Sequence, residues 1–270
     1  MIANKTWREI RVMALVYLLI LELLLVPVIV LWPDFYGDLQ RSTMLRNIGV
    51  DFVKRIMEGV SGNDEQIAYL NWMAVHLFFK GANLVGLAAA VLLGTSLFAR
   101  ERESHTLEFL LARPISRTQI LWQKSWPTVL CIVVGLFLAN WSAILWSRQI
   151  DLVLPFWPLT LCCIQASLFV LLFLAFTTWV SVLCRVQAHV AFWVGGLTVV
   201  QIGFYLVPRF RHYSIFRLSD FDVYGPILAG NLELHQLFDP FQHQGQGTLA
   251  LIGILLFYGL ALRSLRRLEL

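Results

Sequence analysis

The chain has 270 residues, of which 58% are hydrophobic and 14% charged, with a mean hydropathy of +0.70. A soluble fold of this length needs more polar surface than that to cover its core, so the composition excludes a soluble globular protein and leaves an integral membrane protein. The net charge of +4 is spread unevenly between the segments that connect apolar runs, with no basic patch of the kind that marks a nucleic-acid partner.

In chain order, residues 1–11 set Trp7 and Ile10 among Lys5, Arg8 and Arg11, a pattern suited to a short amphipathic helix lying in the headgroup region before it turns into the first span. Six apolar segments approach or meet the roughly 20 helical residues that a bilayer requires: residues 12–32, 73–99, 126–146, 158–183, 189–207 and 248–262. The last is short and leans on a snorkelling Arg263. These runs are continuously apolar instead of alternating, which excludes a β-barrel. The first is of full spanning length and lacks a small-residue cleavage pattern, so it reads as a retained helix. The expected fold is therefore an all-α integral membrane protein with six transmembrane helices, one membrane domain over 1–270.

Twelve of the 21 Lys and Arg residues fall in the short segments 1–11, 100–124, 184–188 and 263–270. By the positive-inside rule that side is cytoplasmic, which puts both termini inside and the two long loops, 33–71 and 208–247, outside. In the first loop, Ile48, Phe52, Val53, Ile56, Met57 and Val60 recur at helical spacing, and Asn63 with Gln66 reads as a capping box opening the second long helix. The second loop is too apolar for a solvated tether and predicts short helices dipping back to the bilayer.

Within the second span Ala82, Gly86, Ala90 and Gly94 fall every four residues, a small-residue stripe suited to close helix packing within the subunit or across a dimer. Polar residues inside the spans are Glu22, Lys80, Asn83, Asn140, Gln165 and Gln201. Glu22 sits mid-span, where a charge is expensive, so it must face the bundle, be protonated or pair. Lys80 and Asn83 are its candidate partners, and it reads either as part of a substrate path or gate or as a structural contact. The four cysteines, Cys131, Cys162, Cys163 and Cys184, lie in or at the ends of spans and indicate no disulfide framework. Glu233, His235, Asp239 and His243 do not make a metal site, because Pro240 interrupts their spacing, and none is assigned.

Between the second and third spans lies a charged amphipathic insert. The sequence predicts a helix from Arg100 to Arg113 stopped by Pro114, and a second capping box, Ser116 with Gln119, starting the third helix near Arg117. On a helical wheel Leu107, Leu110 and Leu111 share one face, while Phe109 points the opposite way among Arg102, His105 and Arg113, with Glu101 and Glu108 on one flank. An aromatic ringed by charges is a common protein–protein hot spot, though an ordinary solvated helix with one exposed Phe has the same pattern.

The run Glu101, Glu103, Thr106, Leu107, Glu108, Leu110, Leu111, Pro114, Ile115, Ser116, Arg117 and Lys124 resembles the signature of ABC-2 type transporter permeases, Glu-x-Glu-x-Gly-Thr-Leu-Glu followed by Pro-x-Ser-Arg and a downstream Lys. It departs at His105, where the pattern has Gly, a residue that tolerates dihedrals a His does not. The resemblance implies that the insert is a coupling helix docking into a groove on a separate cytoplasmic ABC ATPase, with Glu101, Arg102, Glu103, His105, Thr106, Leu107, Glu108, Phe109, Arg113, Pro114, Ser116 and Arg117 as the coupling residues. It further implies a membrane-surface helix at 1–11, a second permease protomer, a prokaryotic cytoplasmic membrane, and export. The chain has no phosphate loop, not even a Gly-Lys pair, so ATP and Mg are expected on the partner and no cofactor or catalytic residue on this chain. The alternatives are a structural or regulatory membrane subunit and a membrane-embedded lipid-modifying enzyme, the latter with no catalytic constellation to support it.

Overall fold

The computed structural model describes residues 2–41, 60, 64–112, 114–239 and 246–267, and among these there is no strand. Six helices are long and apolar enough to cross a membrane. The elements are α1 (Ile2–Val30), α2 (Trp32–Arg41), α3 (Glu65–Met73), a π-helix (Ala74–Val85), α4 (Gly86–Glu103), α5 (Leu107–Leu111), α6 (Arg117–Ser147), α7 (Phe156–Leu183), α8 (Gln187–Leu206), α9 (Phe221–Leu228), α10 (Leu234–Phe238) and α11 (Gln246–Arg266).

α7 is the central post: 78% of its apolar window is buried, against 22% for α1 and α8 and 17% for α11. The exposed faces of those outer helices are apolar, with Leu23, Val199 and Leu255 each about 70% exposed, as a lipid-facing surface requires. α1 buries a single stripe, Ile10, Tyr17, Leu21, Leu25 and Ile29, whose spacings of four and seven lie on one helix face. This stripe packs along α6, where Gly135 admits the Tyr17 ring.

Several sequence expectations need correction. Residues 2–11 do not form a separate surface helix, because no Gly or Pro falls between Ile2 and Val26 and the helix runs on without a break into the span, α1 covering Ile2–Val30. The second span begins at Glu65 and is capped by Asp64, whose carboxylate accepts from the Gln66 and Ile67 amides, instead of by Asn63. Gln66 turns to the next loop and exchanges two hydrogen bonds with the Val153 backbone, 2.7 and 3.2 Å. The last span is longer than expected, Gln246–Arg266. The helix foreseen around Ile48–Val60 lies outside the described residues apart from Val60, which is buried.

A twelve-residue π-helix interrupts the second span. Such turns are rare and usually single. Gly81 fits it because a β-carbon there would stand 2.8 Å from the His76 carbonyl oxygen. The π-turns change the helical register, and the small-residue stripe divides accordingly: Ala82 packs into the core cluster around Tyr69 and Tyr224, whereas Ala90 joins Ile132 and Phe169 further along. Gly86 and Gly94 face Val170 and Thr177 of α7, with ideal β-carbons 2.7 and 2.8 Å from those side chains, so this packing lies inside the subunit. Gly86→Ala is accordingly expected to cost about 1–3 kcal/mol by overpacking. Thermal unfolding in detergent checks it, with Gly86→Ala/Val170→Ala expected to be more stable than Gly86→Ala alone.

At the end of the bundle opposite the charged insert, polar residues from three helices hold the segment after α8. Asn83 donates to the Ser219 carbonyl (3.0 Å), Gln165 to the Leu218 carbonyl (2.6 Å), and Gln201 Oε1 accepts from the Ile215 amide (2.9 Å). That segment, two short 3₁₀ turns at Arg211–Tyr213 and Ile215–Ser219, carries backbone groups that no regular helix pairs, so side chains from the spans satisfy them. Phe216 is buried beside Phe169 and Phe173, and Tyr224 stacks on Phe78 at 4.9 Å. Complete burial pushes the Tyr224 phenol up, so it remains a hydrogen-bond donor to Asn83 Oδ1 and a partner of Ser219.

Candidate coupling site

The insert between the second and third spans is not one helix. α4 ends at Glu103, Ser104 and His105 turn, and α5 begins at Leu107. The turn is made by His105, whose φ of 56° lies in the left-handed region. This is the conformation that Gly adopts without strain and that His tolerates better than β-branched residues do. Thr106 closes it: its amide and hydroxyl both donate to the Glu101 carbonyl, at 2.8 and 3.3 Å. His105→Val is expected to destabilise the chain by about 1–2 kcal/mol relative to His105→Gly, the usual cost of left-handed backbone. Paired thermal melts check the difference.

α5 rests on the bundle through Leu107, Leu110 and Leu111, all buried against Leu97, Phe98, Ile120, Val182 and Leu265. Its opposite side is open. Phe109 is 77% exposed, the most exposed large apolar side chain among the described residues, and His105, Thr106, Glu108 and Ala112 are exposed around it. Ser116 caps α6 by accepting from the Gln119 amide (3.2 Å), and Arg117 donates to the Leu111 carbonyl (3.0 Å), tying the end of α5 to the start of α6. Pro114 is exposed, and Arg113 lies outside the described residues.

Glu101, Arg102 and Glu103 do not join that open face, because each is engaged within the subunit. Glu101 is buried and accepts from Lys124 Nζ at 2.8 Å and Lys5 Nζ at 3.2 Å. Lys124, also buried, donates to the Leu97 carbonyl (2.7 Å) and stands 5.4 Å over the Phe98 ring. Arg102 donates to the Val182 and Leu183 carbonyls, satisfying the C-terminal end of α7. Glu103 accepts from the Gln187 amide at the N-terminal end of α8. The insert is thus joined to α1 through Lys5, α6 through Lys124, α7 through Arg102, α8 through Glu103 and α11 through Leu265, besides α4 from which it springs. All six spans meet it.

The polar residues inside the spans are placed differently from expectation. Glu22 accepts from Ser142 Oγ of α6 at 2.8 Å, so its partner is neither Lys80 nor Asn83. Asn83 and Gln165 hold the segment after α8, as described above, and Asn140 donates to the Leu136 carbonyl of its own helix. Lys80 reaches His76 Nε2 at 3.4 Å, and the His76 ring lies 3.8 Å from the Trp72 ring. Sequence reasoning missed His76 and the role of Lys5; the only available signal for the latter was its position one turn before the burial stripe of α1. At the far loop, His235 pairs with Glu233 at 3.2 Å, and among the described residues no group of three or more His, Cys, Asp or Glu is placed to hold a metal.

No curated protein matches this chain. A family model described as ABC-2 family transporter protein matches residues 2–218, which takes in the first five spans and the whole insert between the second and third. Six membrane-length helices in an all-helical fold accord with that match, and the chain belongs to the ABC-2 family of transporter proteins.

Proposed function

We propose that the chain is the permease subunit of an ATP-driven exporter, with the end of the bundle that carries α5 in the cytoplasm and a separate ABC ATPase docked on Phe109. The observation that carries this reading is the junction of all six spans at the insert formed by the end of α4 and by α5, with the outer face of α5 left open around an exposed aromatic. A push on Phe109 would reach every span through the Glu101–Lys124–Lys5 cluster, the Arg102 and Glu103 clamps and the leucine face of α5. Membrane helices would then shift as packed units while the ATPase pair closes on ATP and Mg and reopens after hydrolysis. ABC-2 permeases generally work with an ATPase partner, which supports the assignment of hydrolysis to another subunit. The pathway would lie between this protomer and a second one, in the cytoplasmic membrane of a prokaryote.

Two measurements test it. Single cysteines at Glu108 and Asp151, at opposite ends of the bundle, are probed with a membrane-impermeant maleimide: Asp151→Cys should label in intact cells and Glu108→Cys only after permeabilisation. The purified complex should hydrolyse ATP while this chain alone does not. Reversed labelling, or hydrolysis by the chain alone, would sink the reading.

A further inference from the structure

We propose that the cavity beside the segment after α8, at the end of the bundle opposite α5, binds a small zwitterion: a primary ammonium joined to a phosphate or carboxylate. The cavity has a volume of about 450 Å³ and combines an apolar wall, Val223, Leu232 and Leu237, with the polar side chains Arg211, Arg217, Asp220, Asp222 and Gln246. That volume lies in the range of small-ligand sites and suits a lipid headgroup or a dipeptide.

Its charged groups divide into those already occupied and those left open. Arg211 forms ion pairs with both Asp220 and Asp222 and lies 5.3 Å over the Tyr205 ring. Asp220 is 2% exposed and also accepts from the Tyr205 hydroxyl and the Phe221 amide. Arg211 and Asp220 are therefore held in place, with the exposed Asp222 completing the charge balance on that wall. Arg217 differs: it lines the same cavity and its guanidinium has no hydrogen-bond or ion-pair partner among the described residues. Gln246 also lines the cavity, and its Oε1 is enclosed with no hydrogen-bond partner, so a turn of the side-chain amide would present that acceptor to a ligand. A buried acceptor without a donor carries a desolvation cost that a ligand N–H removes.

The open groups thus ask for an anion at Arg217 and a donor at Gln246. A simple anion answers only the first. It would also enter a cavity whose two arginines are already balanced by two aspartates, where added net negative charge is repelled. A zwitterion answers both and leaves the total charge unchanged. A quaternary ammonium would not serve, because it has no N–H for Gln246. The same chemistry is offered by an aminated phospholipid headgroup in the adjoining leaflet and by a soluble amino acid or short peptide.

The test uses the full chain in phosphatidylcholine nanodiscs, without ATP or ATPase, so its failure is independent of the exporter reading. Calorimetric titration compares glycerophosphoethanolamine and dialanine, which carry a primary ammonium, with glycerophosphocholine, whose ammonium has no N–H, and inorganic phosphate, which has no ammonium. The proposal expects saturable binding of at least one of the first two and little of the second two. Arg217→Gln and Gln246→Leu should each weaken that binding about tenfold or more, the scale of one lost charge-assisted hydrogen bond, and Arg217→Lys should weaken it less. Repeating the titration in nanodiscs containing phosphatidylethanolamine separates the sources: loss of dialanine binding identifies the lipid headgroup, and unchanged binding identifies a soluble ligand. Absence of saturable binding by both ammonium probes, equal binding of glycerophosphocholine, or wild-type affinity in both Arg217→Gln and Gln246→Leu would overturn the proposal.

Discussion

Truncating Phe109 to alanine is expected to leave the fold intact and to abolish productive engagement of the ATPase. With 77% of the residue exposed and no hydrogen bond in its side chain, little folding energy resides there, and a surface change of this kind shifts stability by no more than about 0.5 kcal/mol. As a central aromatic anchor in a partner groove it would contribute about 2–4 kcal/mol to binding, roughly 30- to 1,000-fold in affinity. The neighbouring Leu110 should behave in the opposite way. It is buried beneath α5, and Leu110→Ala should cost about 2–5 kcal/mol of stability through the cavity it leaves. Thermal melts together with ATPase binding measured on both variants distinguish the outer face of α5 from the inner. If Phe109→Ala binds the ATPase as wild type does, Phe109 is not the anchor.

The second large effect is expected at Glu101. Lys124 is 5% exposed, and its ammonium sits between the Leu97 carbonyl and the Glu101 carboxylate. Glu101→Gln leaves that ammonium buried without a counter-charge, and loss of one partner from a buried pair costs about 3–5 kcal/mol. Replacing both partners with apolar residues, Glu101→Leu with Lys124→Met, should recover much of the loss, because two desolvated charges disappear together. Lys5 is the weaker contributor. Its side chain is 58% exposed, so its pair with Glu101 is solvent-screened, and Lys5→Ala should cost about 0–1 kcal/mol. A thermal-stability series over these three variants checks the ranking; equal effects from Lys5→Ala and Glu101→Gln would refute it. Should the double variant be stable yet fail to couple ATP hydrolysis to transport, the charge cluster serves transmission as well as folding.

The six spans were legible because apolar length alone identifies a membrane helix, and Ser116 and Pro114 marked the start of α6 through local chemistry. The leucine face of α5 was legible for the same reason, since Leu107, Leu110 and Leu111 keep helical spacing within a short helix. What could not be read was tertiary. Nothing local distinguishes Glu101, which turns inward to Lys124, from Glu108, which remains exposed. The Glu22 partner, Ser142, lies 120 positions away, and a hydroxyl gives no charge signal to search for. The π-helix defeated the every-four reading at Ala82 because spacing arguments assume one helical period throughout. His105 is the instructive case: a His where the family pattern has Gly suggested an altered backbone, and the structure shows the Gly-like backbone retained, with φ at 56°. Turn geometry imposed by Thr106 and the buried leucines on either side outweighs the modest local preference of one residue.

The claim most directly open to test is that the outer face of α5 is where the ATPase binds. Placing p-benzoylphenylalanine at position 109, and at position 153 in the loop at the other end of the bundle, allows photocrosslinking in native membranes with identification of the products by mass spectrometry. Position 109 should capture an ATP-binding cassette protein, and position 153 should not. Capture of that protein at 153, or of only lipid and membrane proteins at 109, would contradict the account.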